Sequence, residues 1–210
     1  MAHLHEHIQE LAQSHVLDLF AQQLPMEYCF HNPQHTVDVV EQAREIALAE
    51  GMAGQQIDVV VVAAWFHDVG YVECYQGHEQ RSMRIAAEFL HQHGVSEDAI
   101  AMIVGCIGAT QMPQSPRNLM EAVLCDADLA NLGSADFWAN SALLRAEQEW
   151  YLQTKFDDVE WFNQCRQFCA HHQFHTEYAR QRFTGNQRLN SSYSFDHPVV
   201  QHSLTIHASV

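Results

Sequence analysis

The chain has 210 residues, 47% of them hydrophobic, with 26 acidic against 10 basic side chains and a net charge of −16 with histidine neutral. That length suits one domain with a sizeable core, and the hydrophobic content excludes a disordered chain. The acidic balance excludes a nucleic-acid backbone as main partner, which needs clustered Lys and Arg, but admits a small anion held through a cation that brings its own positive charge.

Sixteen histidines are the compositional anomaly. The opening MAHLHEHIQE has no basic stretch followed by an apolar run, so no leader is expected. The longest apolar run, 59–66, is too short to span a bilayer. Six cysteines without a CxxC pair point to reduced thiols and a cytoplasmic location.

Leu11, Val16, Leu19 and Phe20 line one face of a first helix that Pro25 stops. A second begins after Pro33, carries Val37, Val40, Ile46 and Ala47, and ends before Gly51. A third runs from about Gln56 through DVVVVAAWFHD and breaks at Gly70. Four consecutive valines favour a strand, but AAWFHD carries the segment past strand length. A loop with Gly77 precedes a helix over 78–92, and Ser96 opens another with Glu97 and Asp98 in its first turn. Pro113 and Pro116 bracket a loop. Further helices are expected over 118–132, over 135–153 with Ser134 as cap, over 159–172 and over 176–188. The stretch 190–210 is polar without a clear period and is left unassigned. No repeat or linker-like shift appears, so the expectation is one all-α domain over 1–189.

The strongest local signal is His67-Asp68, which ends the most apolar run of the chain. Burying a carboxylate there is costly unless a cation or strong hydrogen bonds compensate. The plain alternative is an aspartate capping the next turn beside a satisfied core histidine. His35 sits on the preceding helix, and LCDADLANLG places Asp126 and Asp128 on a later one. Two imidazoles and two carboxylates suit a divalent ion with water in its open positions. Residues two apart on a helix differ by about 200° in direction, so only one of the two aspartates can face the ion. In CFHNPQHT, His31 and His35 stand four apart, a spacing that pairs side chains on one helical face. Pro33 interrupts that face.

The order His … His-Asp … Asp on three helices resembles the HD superfamily of metal-dependent phosphohydrolases. That resemblance implies an HD-domain helical bundle with His35, His67 and Asp68 as metal ligands. The segment ADLANL is similar to that around the last ligand of cyclic-nucleotide phosphodiesterases, which implies Asp128 as the fourth ligand. Asp126 is then a cap or an acceptor behind the ligands. FHNPQHTVDV is similar to the Tyr-His-Asn-x-x-His-x-x-Asp-Val pattern of the same enzymes and departs only at Phe30. By that likeness His35 binds the ion, His31 protonates the leaving oxygen, and Asp38 accepts from the His35 ring. The whole chain resembles small bacterial HD phosphohydrolases, which share the element Gly77, His78, Glu79 and Ser82; many other HD proteins carry lysine where Tyr71 stands. The implied activity is hydrolysis of a phosphate ester, of a nucleotide or related small phosphorylated metabolite, by metal-activated water, with His31 and Asp68 catalytic. The implied cofactor is one of Mn, Fe, Co, Ni, Mg or Zn as a divalent ion. A non-catalytic nucleotide-sensing or regulatory HD module is the alternative.

His78 can bind a second ion, contact phosphate in substrate binding, or cap its helix. Arg145 in LLRAEQEW is a candidate phosphate clamp, because guanidinium suits oxyanions; a pair with Glu149 at i+4 is its plainer use. CRQFCAHHQFH offers Cys165, Cys169, His172 and His175 as a zinc set, against a core role for the cysteines beside Phe162 and Phe168. Trp138, Trp150 and Trp161 are expected to pack between helices, since no basic patch accompanies them. The expected partner is a small phosphorylated substrate, with neither nucleic acid nor membrane, and with a homo-oligomer left open.

Overall fold

The structure, a computed structural model, describes residues 6–207. Among these residues it holds ten α-helices, two 3₁₀ turns and no strand. The chain divides into two compact units: residues up to 25 with 31–128, and residues 26–30 with those from 129 onward.

The first unit holds α1 (Glu6–Gln23), α2 (Pro33–Ala49), α3 (Gln55–Phe66), α4 (His78–Gln92), α5 (Glu97–Ala109) and α6 (Leu119–Asp128). Its centre is α3, which packs against the other five. That explains the valine run. A helix apolar all round belongs in the middle of a bundle, and the eight side chains of 59–66 are all buried. Branching at Cβ costs a valine a few tenths of a kcal/mol of helix propensity. Burial returns about 1.5–3 kcal/mol per side chain and decides the matter. In α1 the innermost positions are Ile8, Ala12, Val16 and Phe20, with Leu11 and Leu19 half-buried beside them. In α2 they are Val39, Ala43, Ile46 and Ala47. Ser96 caps α5 as expected, accepting from the Ala99 N–H.

Two helices end in tighter turns than the sequence suggests. After α3 the chain closes into the 3₁₀ turn Val69–Val72. After α6 it enters the 3₁₀ turn Ala130–Gly133, so the helix expected to reach residue 132 stops at Asp128.

The second unit holds α7 (Phe137–Leu152), α8 (Asp158–His171), α9 (Glu177–Ser192) and α10 (Pro198–His207). Ser134 does not cap α7; its hydroxyl accepts from the Asp136 N–H and the helix begins at Phe137, two residues later than expected. The unassigned stretch contains the end of α9 and all of α10, which buries Val200. Trp138 stacks on Phe162, and Trp161 donates to the Ser141 hydroxyl. The sulfur of Cys169 faces the carbonyls of Leu132 and Gln187, and that of Cys165 lies 3.0 Å from Ser141 Oγ. Among the described residues, no metal-binding group includes these cysteines. The zinc alternative therefore gives way to core packing, with burial pushing the Cys169 thiol up to about 12.

Candidate metal centre

Four side chains of the first unit converge. The Nε2 of His35 lies 3.4 Å from Asp68 Oδ2 and 3.5 Å from Asp128 Oδ1. The Nε2 of His67 lies 3.2 and 3.6 Å from the same two oxygens. One donor atom from each of His35, His67, Asp68 and Asp128 falls within 4.8 Å of every other. These are the four residues the sequence singles out as candidate ligands, and Asp126, fully buried two residues before Asp128, is not among them.

Local structure aims each donor. Asn32 is the N-cap of α2, and its side chain accepts from the backbone N–H groups of Gln34 and His35 at 2.8 and 3.0 Å. Pro33 takes the first helical position, where its missing N–H costs nothing and its fixed φ suits the helix. The proline therefore starts the helix, places His35 in its first turn and leaves His31 outside it. His67 caps the C-terminus of α3. Its Nδ1 lies 2.7 Å from the Ala64 carbonyl, an acceptor freed by the helix end. A carbonyl only accepts, so Nδ1 carries the proton, and in the neutral ring Nε2 presents its lone pair to the carboxylates. Asp68 follows at the start of the 3₁₀ turn, and Asp128 is the last residue of α6.

The buried surface holds an unresolved conflict that a cation answers. His67 Nε2 and Asp68 Oδ2 are both shut from solvent and neither makes a hydrogen bond. Polar atoms in that state are costly, and the lone pair of a neutral His67 repels the carboxylate oxygen it faces unless a proton or a cation stands between them. A divalent ion at ~2.0–2.2 Å from each donor spans up to about 4.4 Å between opposite donors, close to the observed cluster. Two imidazoles and two carboxylates also supply the charge that a divalent ion neutralises. The residues fit such an ion.

The electrostatics point the same way. Burial opposes charge on His35, but the Asp128 and Asp68 carboxylates outweigh it and raise the imidazole to about 9. His67 is held well above its ordinary value against the same penalty, by Asp68 and Asp128. Burial pushes Asp128 upward, yet His35 and His67 bring it down to about 2, and Asp68 is held well below the usual carboxylate range. The site is organised to keep positive charge between its carboxylates.

The other sequence candidates divide. His78 opens α4 and points its Nε2 at Asp68 Oδ1, 3.4 Å away, while its Nδ1 donates to the Tyr75 carbonyl at 3.1 Å. It borders the cluster without joining it. His31 is half-buried, its ring 5.9 Å from that of His35 and edge-on to it. Asp38 does not back His35: it lies exposed and accepts from the Gln34 amide at 2.7 Å, because its position turns it outward on α2. Arg145, in the second unit, is buried. Its guanidinium donates to Glu149 at 2.8 Å, to Asp158 at 2.6 Å and to the Phe156 carbonyl, which leaves the phosphate-clamp expectation without support.

The sequence gives no warning of how tightly the 3₁₀ turn meets α4. The Gly70 N–H donates to Ser82 Oγ at 2.9 Å, and a Cβ on Gly70 would sit 2.0 Å from the His78 carbonyl oxygen. Only glycine allows that approach, which fixes His78 against Asp68. The pairing of Gly70 with Ser82, twelve residues apart, is invisible to local pattern.

Residues 34–130 match the family model of the HD domain. No curated protein matches the chain significantly. Among solved structures it is similar to a Lactobacillus plantarum protein, with a TM-score of 0.67 and 17% identity over 98% of this chain and 99% of that one. It is also similar to YpgQ of Bacillus subtilis, solved in complex with ADP, with a TM-score of 0.63 and 15% identity over 96% and 97%. A predicted HD superfamily hydrolase from an uncultured Thermotogales bacterium gives a TM-score of 0.56 and 20% identity over 93% and 91%. At these identities the likeness is one of fold. The stretch 34–130, which carries all four converging donors, is an HD domain.

Proposed function

We propose that this chain is a metal-dependent phosphohydrolase that cleaves an ester of a nucleotide or similar small phosphorylated metabolite. The observation that carries this is the buried pair of His67 Nε2 and Asp68 Oδ2, 3.2 Å apart and without hydrogen bonds. His35, His67, Asp68 and Asp128 would hold the ion. A divalent cation supplies Lewis acidity toward water and toward a phosphoryl oxygen.

The chain's own residues supply the rest. Asp68 turns Oδ2 to the donors and Oδ1 to His78, so it couples the ion site to a histidine at its border. His78 contacts the phosphate from that position. His31 stands outside the ligand set, held just ahead of α2 by Asn32 and Pro33, and gives its proton to the leaving alkoxide as the P–O bond breaks. Such a proton transfer is worth ~10²–10⁴-fold. The ADP in the B. subtilis relative makes nucleotides the first class to try.

The test is phosphate release, with added Mn²⁺, from nucleoside mono-, di- and triphosphates, cyclic nucleotides and p-nitrophenyl phosphate. The wild type should cleave at least one class, and Asp68→Asn none. His31→Ala should slow turnover ~10²–10⁴-fold with metal content intact; loss of metal would instead make His31 a ligand. Tight nucleotide binding with no release from any substrate would make the chain a sensing module.

A further inference from the structure

A group beside the four donors has no part in holding the ion. Tyr71 lies in the 3₁₀ turn after Asp68, is 5% exposed, and donates its backbone N–H to the Asp68 carbonyl at 3.0 Å. Its ring lies against two imidazoles. That of His31 is 4.3 Å away between centroids with 24° between planes, and that of His78 is 3.8 Å away with 17°. The two imidazoles are 6.3 Å apart. Those spacings set the two imidazoles at roughly a right angle about the phenol centre, so both stacks are offset ones. Tyr75 meets Tyr71 at 5.3 Å and 65°, and meets His31 at 6.3 Å and 83°. The phenol oxygen lies 3.3 Å from His31 Nε2.

Both imidazoles border the ligand cluster, His78 through Asp68 and His31 through the edge of His35. His31 lies in irregular chain ahead of α2, and His78 is the first residue of α4. The ring stacked against both is that of Tyr71, itself tied by its backbone to Asp68.

We propose that Tyr71 is a positioning residue whose ring, stacked against both His31 and His78, holds the two imidazoles as one wall beside the ligand cluster. Its consequence for turnover rests on the hydrolase reading; its geometry does not. A displacement of about 1 Å at a reacting group can cost ~10²-fold, so the rigidity of this wall matters to rate more than to affinity.

The wall is read first without turnover, by NMR of the Zn²⁺-loaded chain. Imidazole carbon-bound protons of His31 and His78 that lie over the phenol faces resonate upfield of ordinary histidines. Tyr71→Leu should return both to ordinary positions, and Tyr71→Phe, which keeps the ring, should restore the upfield shifts. On the fastest-cleaved ester of the panel, Tyr71→Leu should lower kcat about 10–100-fold with KM changed less than about threefold, and Tyr71→Phe should recover kcat to within about threefold. Both should bind as much metal as the wild type. Ordinary histidine shifts in the wild type overturn the proposal without any variant, which covers the case of a Leu variant that fails to fold. So does a kcat unaffected by loss of the shifts, or a Phe variant as slow as the Leu variant, which would place the role in the hydroxyl. A wild type with shifted imidazoles that cleaves nothing refutes the hydrolase reading and still supports the wall.

Discussion

Replacing Gly70 by alanine puts a Cβ 2.0 Å from the His78 carbonyl oxygen and 2.8 Å from both Arg81 Cβ and the Ser82 nitrogen. Carbon and oxygen in contact need about 3.3 Å, so one side must retreat by roughly 1.3 Å. The obstructing atoms are two backbone atoms of the start of α4 and the Arg81 Cβ fixed to that backbone, and none can rotate aside. Their retreat breaks the bond from Gly70 N–H to Ser82 Oγ and draws His78 away from Asp68. Overpacking of this kind costs about 1–3 kcal/mol and the lost hydrogen bond about 1 more. For a chain of this size a total of about 2–4 kcal/mol lowers Tm by roughly 5–15 °C. Metal content should survive, because α4 gives way while the donors stay on α2, at the junction of α3 with the turn, and on α6. Thermal unfolding by circular dichroism and metal analysis of the same sample check both halves. A Gly70→Ala chain that melts with the wild type would refute the close packing of the turn on α4.

Metal binding should be proton-linked. A ligating imidazole must be neutral, and in the metal-free chain His35 is held at about 9 and His67 well above its ordinary value. Loading therefore expels protons, and affinity should rise with pH toward about 9. Calorimetry at pH 7 in buffers of different ionisation enthalpy should show proton release; none would contradict the account. The stability of the metal-free chain runs the other way. The raised His35 contributes fully below 6.5 and loses that contribution as pH rises through about 9. The depressed Asp128 contributes above 3.8 and loses it as pH falls through about 2. Arg145→Ala should cost about 3 kcal/mol, because it strips a partner from the buried Glu149, and should leave kcat and KM unchanged. A variant that melts normally but loses activity would restore Arg145 as a phosphate contact.

Much of the site is written in short stretches. Asn32-Pro33 is a cap followed by a helix-starting proline, so the different placements of His31 and His35 follow from two residues. The helix over 78–92 appears with those bounds because Gly77, at φ 75, can adopt the left-handed conformation that precedes it. The valine run becomes a helix because length and burial outweigh the preference of branched side chains. Other features depend on partners far along the chain. Asp38 looks like a support for His35 until the direction of α2 turns it to solvent. The stop of α6 at Asp128 depends on a 3₁₀ turn with no Gly or Pro at its start, and α10 has too short an apolar pattern to announce itself. The stack on Tyr71 joins His31, forty residues earlier, to His78, seven later, and no spacing rule connects them.

The central claim is that His35, His67, Asp68 and Asp128 hold one divalent ion. Titrating the chelator-stripped chain with Zn²⁺ tests it most directly. The account predicts one tightly bound ion per chain in the wild type and in His31→Ala, and none at that affinity in His67→Ala. A wild type that binds no ion, or a His67→Ala chain that binds it as tightly, would contradict it.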